Sequence, residues 1–111
     1  MGEDLVTKKC IPCEGGMPAM SKEETHRYLN QVMEWDLVED KKIKKEFKFK
    51  NFKESLNFVN RIGVLAEEEG HHPNITIIYN KVIVTLFTHA IGGLSENDFI
   101  MAAKIDRLNK G

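Results

Sequence analysis

Three of the four histidines in this chain fall within 23 positions, between Glu67 and His89. His71 and His72 are adjacent and precede Pro73, whereas His89 lies 17 positions after His72. An unperturbed imidazole titrates at about pH 6.5, so it can both donate and accept a proton near neutrality. Three histidines can also hold a zinc ion, and each can equally be a residue satisfied by its local neighbours. The spacing alone leaves catalysis, metal binding and no chemical role open.

The segment between these histidines predicts a β-hairpin over roughly residues 74–88. Asn80 and Lys81 separate two apolar runs rich in β-branched residues, and we expect them to form a two-residue turn. Paired residues then place His72 opposite His89, with Cβ atoms about 4.5–5.5 Å apart. One face is wholly apolar and is expected to face the helices: Ile75, Ile77, Tyr79, Val82, Val84 and Leu86.

Two residues beside the histidine pair are expected to bring His71 to the same end of the hairpin. Gly70 is a natural helix terminator, so His71 directly follows a helix end. Pro73 favours an extended conformation at His72. The second face of the hairpin is half apolar, which indicates a ligand concavity or a partner: Asn74, Thr76, Ile78, Ile83, Thr85 and Phe87.

The N-terminal half predicts an irregular arm, a helix and two strands. Residues 1–20 contain CIPCEGGMPAM, whose prolines and paired glycines interrupt regular structure. Ser21 and Glu24 form a capping box, which begins a helix through about Glu34. The stretch DLVEDKKIKKEFKFK then predicts a short strand paired with a longer one of alternating apolar and charged residues. The helical residues expected to face inward are Tyr28, Leu29, Val32 and Trp35.

The C-terminal half predicts two further helices around the hairpin. Asn51 is expected to cap a helix that ends at Gly70, and Ser95 with Asp98 a last helix. Their expected inward faces are Phe52, Leu56, Val59, Gly63 and Ala66, and Phe99, Ala102, Ala103, Ile105 and Leu108. The order predicts one α+β domain over residues 21–111: a four-stranded antiparallel sheet with three helices on one face.

Composition limits the classes of partner. The chain has 111 residues and a net charge of −1, which gives no overall attraction to nucleic acid or anionic lipid. No apolar run approaches the roughly 20 residues that cross a bilayer. The start, MGEDLVTKK, lacks an apolar signal core, so we expect a cytoplasmic protein. The lysines of KKIKKEFKFK are interpreted as the wet face of a strand.

Cys10 and Cys13 form a C-x-x-C pair in the arm. Structural zinc needs two more ligands, and only His26 lies nearby in sequence. Plain thiols are therefore favoured over a zinc site or a redox pair.

The residues around the histidines resemble the pterin-4a-carbinolamine dehydratase family. The family pattern is an acidic or similar residue, three positions, His-His-Pro, five or six positions, an aromatic residue, nine positions, His, and an Asp shortly after. The resemblance runs from about Trp35 to Leu108. The matching residues are Glu67, His71, His72, Pro73, Tyr79, His89 and Asp98.

The resemblance implies a hydro-lyase that dehydrates 4a-hydroxytetrahydropterin to quinonoid dihydropterin in tetrahydropterin recycling, without a metal or organic cofactor. It implies His71 and His89 as the acid–base pair, with His72 binding and orienting the pterin. Glu67 is expected to orient or charge-couple an imidazole, and Asp98 either contributes to the site or only completes its capping box. The other positions expected to line the substrate site are Pro73, Thr88, Ala90 and Ile91.

The resemblance also implies a homodimer or homotetramer, formed by sheet extension and helix packing. Some animal members act as dimerisation cofactors for a homeodomain transcription factor, so a non-catalytic pterin-binding or protein-partner module is the alternative function. All three histidines are present, which favours the enzyme because partnership does not require them. One departure is Ile75, where many members carry an aromatic residue; a stacking surface for the pterin could be missing there.

Overall fold

The structure, a computed structural model, describes residues 5–11 and 18–110. Between residues 18 and 110 the element order is α-β-β-α-β-β-α, which confirms the α+β prediction. A 3-10 turn, His89–Ile91, follows the last strand. The elements are α1 (Lys22–Leu29), β1 (Asp36–Val38), β2 (Lys42–Lys48), α2 (Phe52–Glu69), β3 (Asn74–Ile78), β4 (Lys81–Leu86) and α3 (Glu96–Lys110).

The four strands form one antiparallel sheet, as expected, and their order in it is β1-β2-β4-β3. Side chains of β2 and β4 alternate between the core and the opposite face of the sheet. The three helices cover the apolar face. The fully buried residues at this sheet–helix boundary include Ile43, Val82, Val84, Leu86, Phe58, Ile62, Phe99 and Ile105.

Capping residues determine where these helices begin or end. The Ser21 hydroxyl accepts from the Glu24 N–H and the Glu24 carboxylate accepts from the Ser21 N–H, both at 3.2 Å, so the predicted capping box is present. Asn51 Oδ1 accepts from the Glu54 N–H at 3.0 Å at the start of α2. Gly70 ends that helix with φ +67°, the left-handed conformation that glycine adopts without strain.

The first helix ends earlier than expected. It stops at Leu29 because the next backbone hydrogen bonds join residues three apart rather than four apart. One example is the Gln31 N–H, which donates to the Tyr28 carbonyl at 2.9 Å. The tighter turn still carries Val32 and Trp35 into the core, with 8% and 6% of their surface exposed. The inward-facing set was therefore right although the helix end was wrong.

The expected inward face of α2 was partly wrong. Phe52 and Leu56 are 47% and 41% exposed, whereas Ala66 is buried as predicted. The other buried positions are Ser55, Phe58 and Ile62. The ring of Phe58 packs 4.9 Å from Phe47 and 5.0 Å from Phe49, and this aromatic contact selects the buried face. An exposed α2 stripe remains, composed of Phe52, Leu56 and Val64.

The hairpin turn lies one residue earlier than predicted. Tyr79 and Asn80 form it, and Ile77 pairs with Val82 rather than with Val84. Asn80 is fixed to the end of β2, because its carbonyl accepts from the Phe49 N–H at 2.7 Å. Its side-chain amide also donates to the Phe49 carbonyl at 3.2 Å.

The resulting register shift is two residues, so every side chain except those of the turn keeps its face. Ile75 and Ile77 remain on the helix-covered face, but Tyr79 is 64% exposed rather than core. The predicted pairing of His72 with His89 was wrong, since the ladder ends at the Asn74–Thr85 pair.

The predicted arm over residues 1–20 is described at 5–11 and 18–20. Leu5 lies in the core with 1% of its surface exposed, and Cys10 is a partly buried free thiol. Cys13 lies outside the described residues. Within the described part of the chain, no cluster of three or more His, Cys, Asp or Glu side chains is arranged to hold a metal ion. No helix of that part has the length and apolarity needed to cross a membrane.

Candidate active site

The three histidines line one cavity of about 310 Å³. His71 follows the Gly70 end of α2, and His89 begins the 3-10 turn after β4. That turn folds the chain back, because the Thr88 N–H donates to the Gly93 carbonyl at 2.8 Å. The predicted convergence therefore occurs through a turn rather than through cross-strand pairing. The lining residues are Ile11, Gly70, His71, His72, Phe87, Thr88, His89, Ala90 and Asn97.

His71 is held by a buried carboxylate. Its Nε2 lies 2.7 Å from Asp98 Oδ1, and the two side chains are 13% and 0% exposed. A carboxylate only accepts hydrogen bonds, so Nε2 carries the proton and donates it. The second ring nitrogen of a neutral imidazole is then unprotonated, which makes Nδ1 of His71 the basic atom.

Asp98 completes the capping box of α3 and also contacts His71. Its Oδ2 accepts from the Ser95 N–H at 2.9 Å, which caps α3. The same oxygen accepts from the Thr88 hydroxyl at 2.9 Å. Since that bond uses the Thr88 proton, the Ser95 hydroxyl donates to Thr88 across 2.8 Å. The carboxylate thus fixes His71 while it closes a buried hydrogen-bond network between β4 and α3.

His72 contacts a different carboxylate in a different environment. Its Nε2 lies 2.5 Å from Glu67 Oε2, but the two side chains are 60% and 78% exposed. Glu67 lies on the last turn of α2, five residues before His72. The expectation that Glu67 contacts an imidazole therefore holds for His72 and not for His71.

His89 is an exposed imidazole beside an aromatic ring. Its centroid lies 4.6 Å from that of Phe87, with the planes tilted by 57°. Lys42 Nζ lies 4.9 Å from the centroid of the Phe87 ring. Phe87 thus gives the cavity an aromatic surface, although position 75 carries isoleucine.

The other expected site residues divide into two groups. Thr88 and Ala90 line the cavity with the histidines, whereas Pro73 and Ile91 are not among its lining residues. Asp98 lies behind His71 and does not itself line the cavity.

Sequence reasoning missed several lining residues: Ile11, Gly70, Phe87 and Asn97. The half-apolar second face of the hairpin, which includes Phe87, was the signal available for that ring. No comparable signal marks Ile11 and Asn97, since 86 positions separate them.

The chain belongs to the pterin 4 alpha carbinolamine dehydratase family, whose sequence model matches residues 18–108. A protein of Alkaliphilus metalliredigens, named "Putative pterin-4-alpha-carbinolamine dehydratase", is 53% identical over 105 residues. The matched region covers 94% of this chain and 95% of that protein.

Two solved structures are also similar. One is described as a transcriptional coactivator/pterin dehydratase from Brucella melitensis; it has a TM-score of 0.77 and 33% identity, over 81% of this chain and 97% of the other. The second is a pterin dehydratase-like protein described as a RuBisCO assembly factor in the alpha-carboxysome. It has a TM-score of 0.58 and 28% identity, over 67% of this chain and 87% of the other.

Proposed function

We propose that this chain dehydrates 4a-hydroxytetrahydropterin to quinonoid dihydropterin, as a hydro-lyase in tetrahydropterin recycling. The observation that carries the proposal is the meeting of three imidazoles in one cavity, in a chain of the pterin dehydratase family. The reaction breaks the C4a–O bond, releases the hydroxyl group as water, removes the N5 proton and forms the C4a=N5 double bond. One general base and one general acid are sufficient for it, so the proposal includes no cofactor.

His71 is proposed as the base that takes the N5 proton. Its Nε2–H donates to Asp98, so Nδ1 has the free electron pair. The buried carboxylate also stabilises the imidazolium that forms when Nδ1 accepts the proton. A base oriented by a third group is the usual arrangement in acid–base sites.

His89 is proposed as the acid that protonates the departing 4a-hydroxyl. It lies in the same cavity and contacts Phe87, whose ring offers an apolar surface to the flat pterin. His72, paired with Glu67, binds and orients the pterin. Thr88 and Ala90 complete the proposed substrate contacts. Pro73 and Ile91 stay predictions from the family resemblance.

The test follows carbinolamine breakdown spectroscopically with the wild-type chain and single variants. His71→Ala and His89→Ala should each lower kcat by about 10²- to 10⁴-fold, the usual contribution of one positioned acid or base. His26→Ala is the matched control, because His26 is an exposed histidine on α1 outside the cavity. Wild-type rates in both cavity variants would overturn the catalytic assignment.

The second candidate function is a module for protein partners. It is favoured by the exposed α2 stripe and by the similar structures described as a coactivator and as an assembly factor. Partner binding through the stripe would survive His71→Ala and His89→Ala, whereas dehydration would not. A wild-type chain with no dehydratase activity would favour this candidate.

We also propose a homodimer or homotetramer. The exposed α2 stripe and the edge strand β3 are the surfaces that fit a second copy of the chain. Light scattering at micromolar concentration should give a multiple of 12.7 kDa. Leu56→Glu should reduce that mass, whereas Met33→Glu, at an exposed apolar position off the stripe, should not. A monomeric wild type would contradict the proposal. The cytoplasmic location stays a prediction.

A further inference from the structure

Below, the arm means residues 5–11, the first described part of the N-terminal stretch 1–20. It packs against α2 and α3. Leu5 is buried in the core, and Val6 lies beside Leu65 of α2 and Leu108 of α3. From there the arm runs to the start of α3, where Lys8 Nζ lies 2.6 Å from Glu96 Oε2. The arm therefore ends beside the candidate active site.

Two further contacts fix the end of the arm. The Cys10 N–H donates to Glu69 Oε1 at 2.8 Å, and Lys104 Nζ lies 2.6 Å from the other oxygen of Glu69. Cys10 Sγ contacts the Asn97 carbonyl at 3.7 Å. Burial and the neighbouring Glu69 carboxylate raise the pKa of the Cys10 thiol to about 12, so it stays a neutral thiol that packs rather than reacts.

Asn97 binds both backbone polar groups of Ile11, the residue after Cys10. Its Oδ1 accepts from the Ile11 N–H at 3.0 Å, and its Nδ2 donates to the Ile11 carbonyl at 2.5 Å. Asn97 is 4% exposed, so these two bonds are partly buried on the Asn97 side. This two-point contact fixes where Ile11 lies although the two residues are 86 positions apart.

Ile11 lines the same cavity as the three histidines, and 65% of its surface is exposed. A buried two-point contact that leaves an apolar side chain exposed contributes little to the core. It does supply an apolar surface to a site that is otherwise rich in imidazole, which is what a flat heteroaromatic ligand requires.

We propose that Ile11 contacts the substrate and that Asn97 is the positioning residue that places it, so that the arm forms one wall of the active site. The proposal rests on the proposed pterin dehydratase function. The arm lies outside residues 18–108, the part that matches the family. The match to the Alkaliphilus relative nevertheless covers 94% of this chain. At least part of the arm therefore lies within the matched region.

The test measures KM and kcat for carbinolamine dehydration and the Kd for 7,8-dihydrobiopterin, a stable reduced pterin. Ile11→Ala should raise KM and Kd by about three- to tenfold, because it removes part of an apolar contact with the ligand. The loss should fall on KM and Kd rather than on kcat, because an apolar contact takes no part in the proton transfers. The urea midpoint should stay unchanged, since Ile11 is 65% exposed. Met33→Ala is the matched control at an apolar position 59% exposed and outside the cavity.

The positioning role of Asn97 is tested by combining variants. Asn97→Ala should raise KM at least as much as Ile11→Ala, and the double variant should be no worse than Asn97→Ala alone, because Asn97 acts through Ile11. Additive effects would mean that Asn97 contacts the pterin itself and would overturn the positioning role.

If the wild-type chain is active and Ile11→Ala keeps the wild-type KM and Kd, the proposed contact between Ile11 and the substrate is wrong. The proposed function would then still stand. An inactive wild type would overturn the proposed function instead, and the Kd values would then decide the inference. A wild type that neither turns over nor binds the reduced pterin would overturn both.

Discussion

His71 and His72 are neighbours in sequence, and each has a carboxylate at Nε2, at 2.7 Å and 2.5 Å. The environments of the two pairs differ. The His71 and Asp98 side chains are 13% and 0% exposed, whereas those of His72 and Glu67 are 60% and 78% exposed. Similar distances therefore do not mean similar energies, because water screens the exposed pair much more than the buried one.

The comparison separates a fixed imidazole from an adaptable one. Asp98 is held in turn by Thr88 and by the Ser95 N–H, so the orientation and tautomer of His71 are set before any ligand arrives. The Glu67 side chain is paired with His72 but lies largely in solvent on the last turn of α2, so His72 can reorient when a ligand binds. A fixed base beside an adjustable binding residue is consistent with the proposed division of roles.

Asp98→Asn should have the greatest effect on catalysis, because it changes the buried pair. The amide oxygen can still accept from Ser95 and Thr88, but the amide NH₂ then faces His71 Nε2 and forces it to accept. The proton moves to Nδ1, and the proposed base becomes a donor. We expect kcat to fall by about 10²- to 10⁴-fold, while stability falls by only about 1–2 kcal/mol because the buried bonds are rearranged rather than lost.

Asp98→Ala is the comparison that separates catalysis from folding. It leaves the His71, Thr88 and Ser95 donors without this acceptor, so the loss of stability should reach about 3 kcal/mol or more. Urea unfolding and steady-state kinetics on both variants give the two readouts. Near-wild-type kcat for Asp98→Asn would show that the tautomer of His71 does not matter.

The same contrast between a buried and an exposed carboxylate occurs where the arm meets α3. The Glu69 side chain is 9% exposed beside Lys104, and the Glu96 side chain is 38% exposed beside Lys8. Burial acts to raise the pKa of Glu69, but hydrogen bonds from Lys104 and from the Cys10 N–H outweigh it, so the pKa lies below its usual value. The hydrogen bond from Lys8 lowers the pKa of Glu96 against a smaller effect of burial.

Both folded-state pKa values lie below those of the unfolded chain, which fixes the sign of the pH dependence. The stabilisation is complete above the unfolded value of about 4.3 and is lost as the pH falls through the folded values. The free energy of unfolding should therefore decrease on acidification below about pH 5. Glu69→Gln should cost about 1–3 kcal/mol at neutral pH and should flatten this acid dependence more than Glu96→Gln. Urea titrations across pH measure both effects, and equal flattening would mean that burial does not distinguish the two contacts.

Local signals allowed most of the fold to be predicted. The Ser21–Glu24 capping box, the Asn51 cap and Gly70 each act within about four residues, so the sequence shows them directly. The α2 face and the hairpin register depended on distant residues. Phe58 against Phe47 selects the buried stripe, and Asn80 bonded to Phe49 moves the turn.

The candidate site, like the fold, could be predicted only in part. The set of histidines could be identified from spacing and family resemblance, and the cavity does bring the three together. The partner of each imidazole could not be identified in that way, because His71 contacts Asp98 across 27 positions of chain. No periodicity relates such residues, so only the packing of α2 against α3 brings them together.

The least effect is expected from a change in the exposed pair of His72 and Glu67. Glu67→Gln removes the charge from the His72 contact but keeps a group that can form a hydrogen bond. Because the pair is exposed, stability should change by less than about 1 kcal/mol. The kcat should stay within about threefold of wild type, since a screened carboxylate stabilises little charge at the reaction centre. KM should rise modestly and less so at high salt. A loss in kcat as large as that of Asp98→Asn would place Glu67 in the proton transfers and would erase the distinction between the two imidazoles.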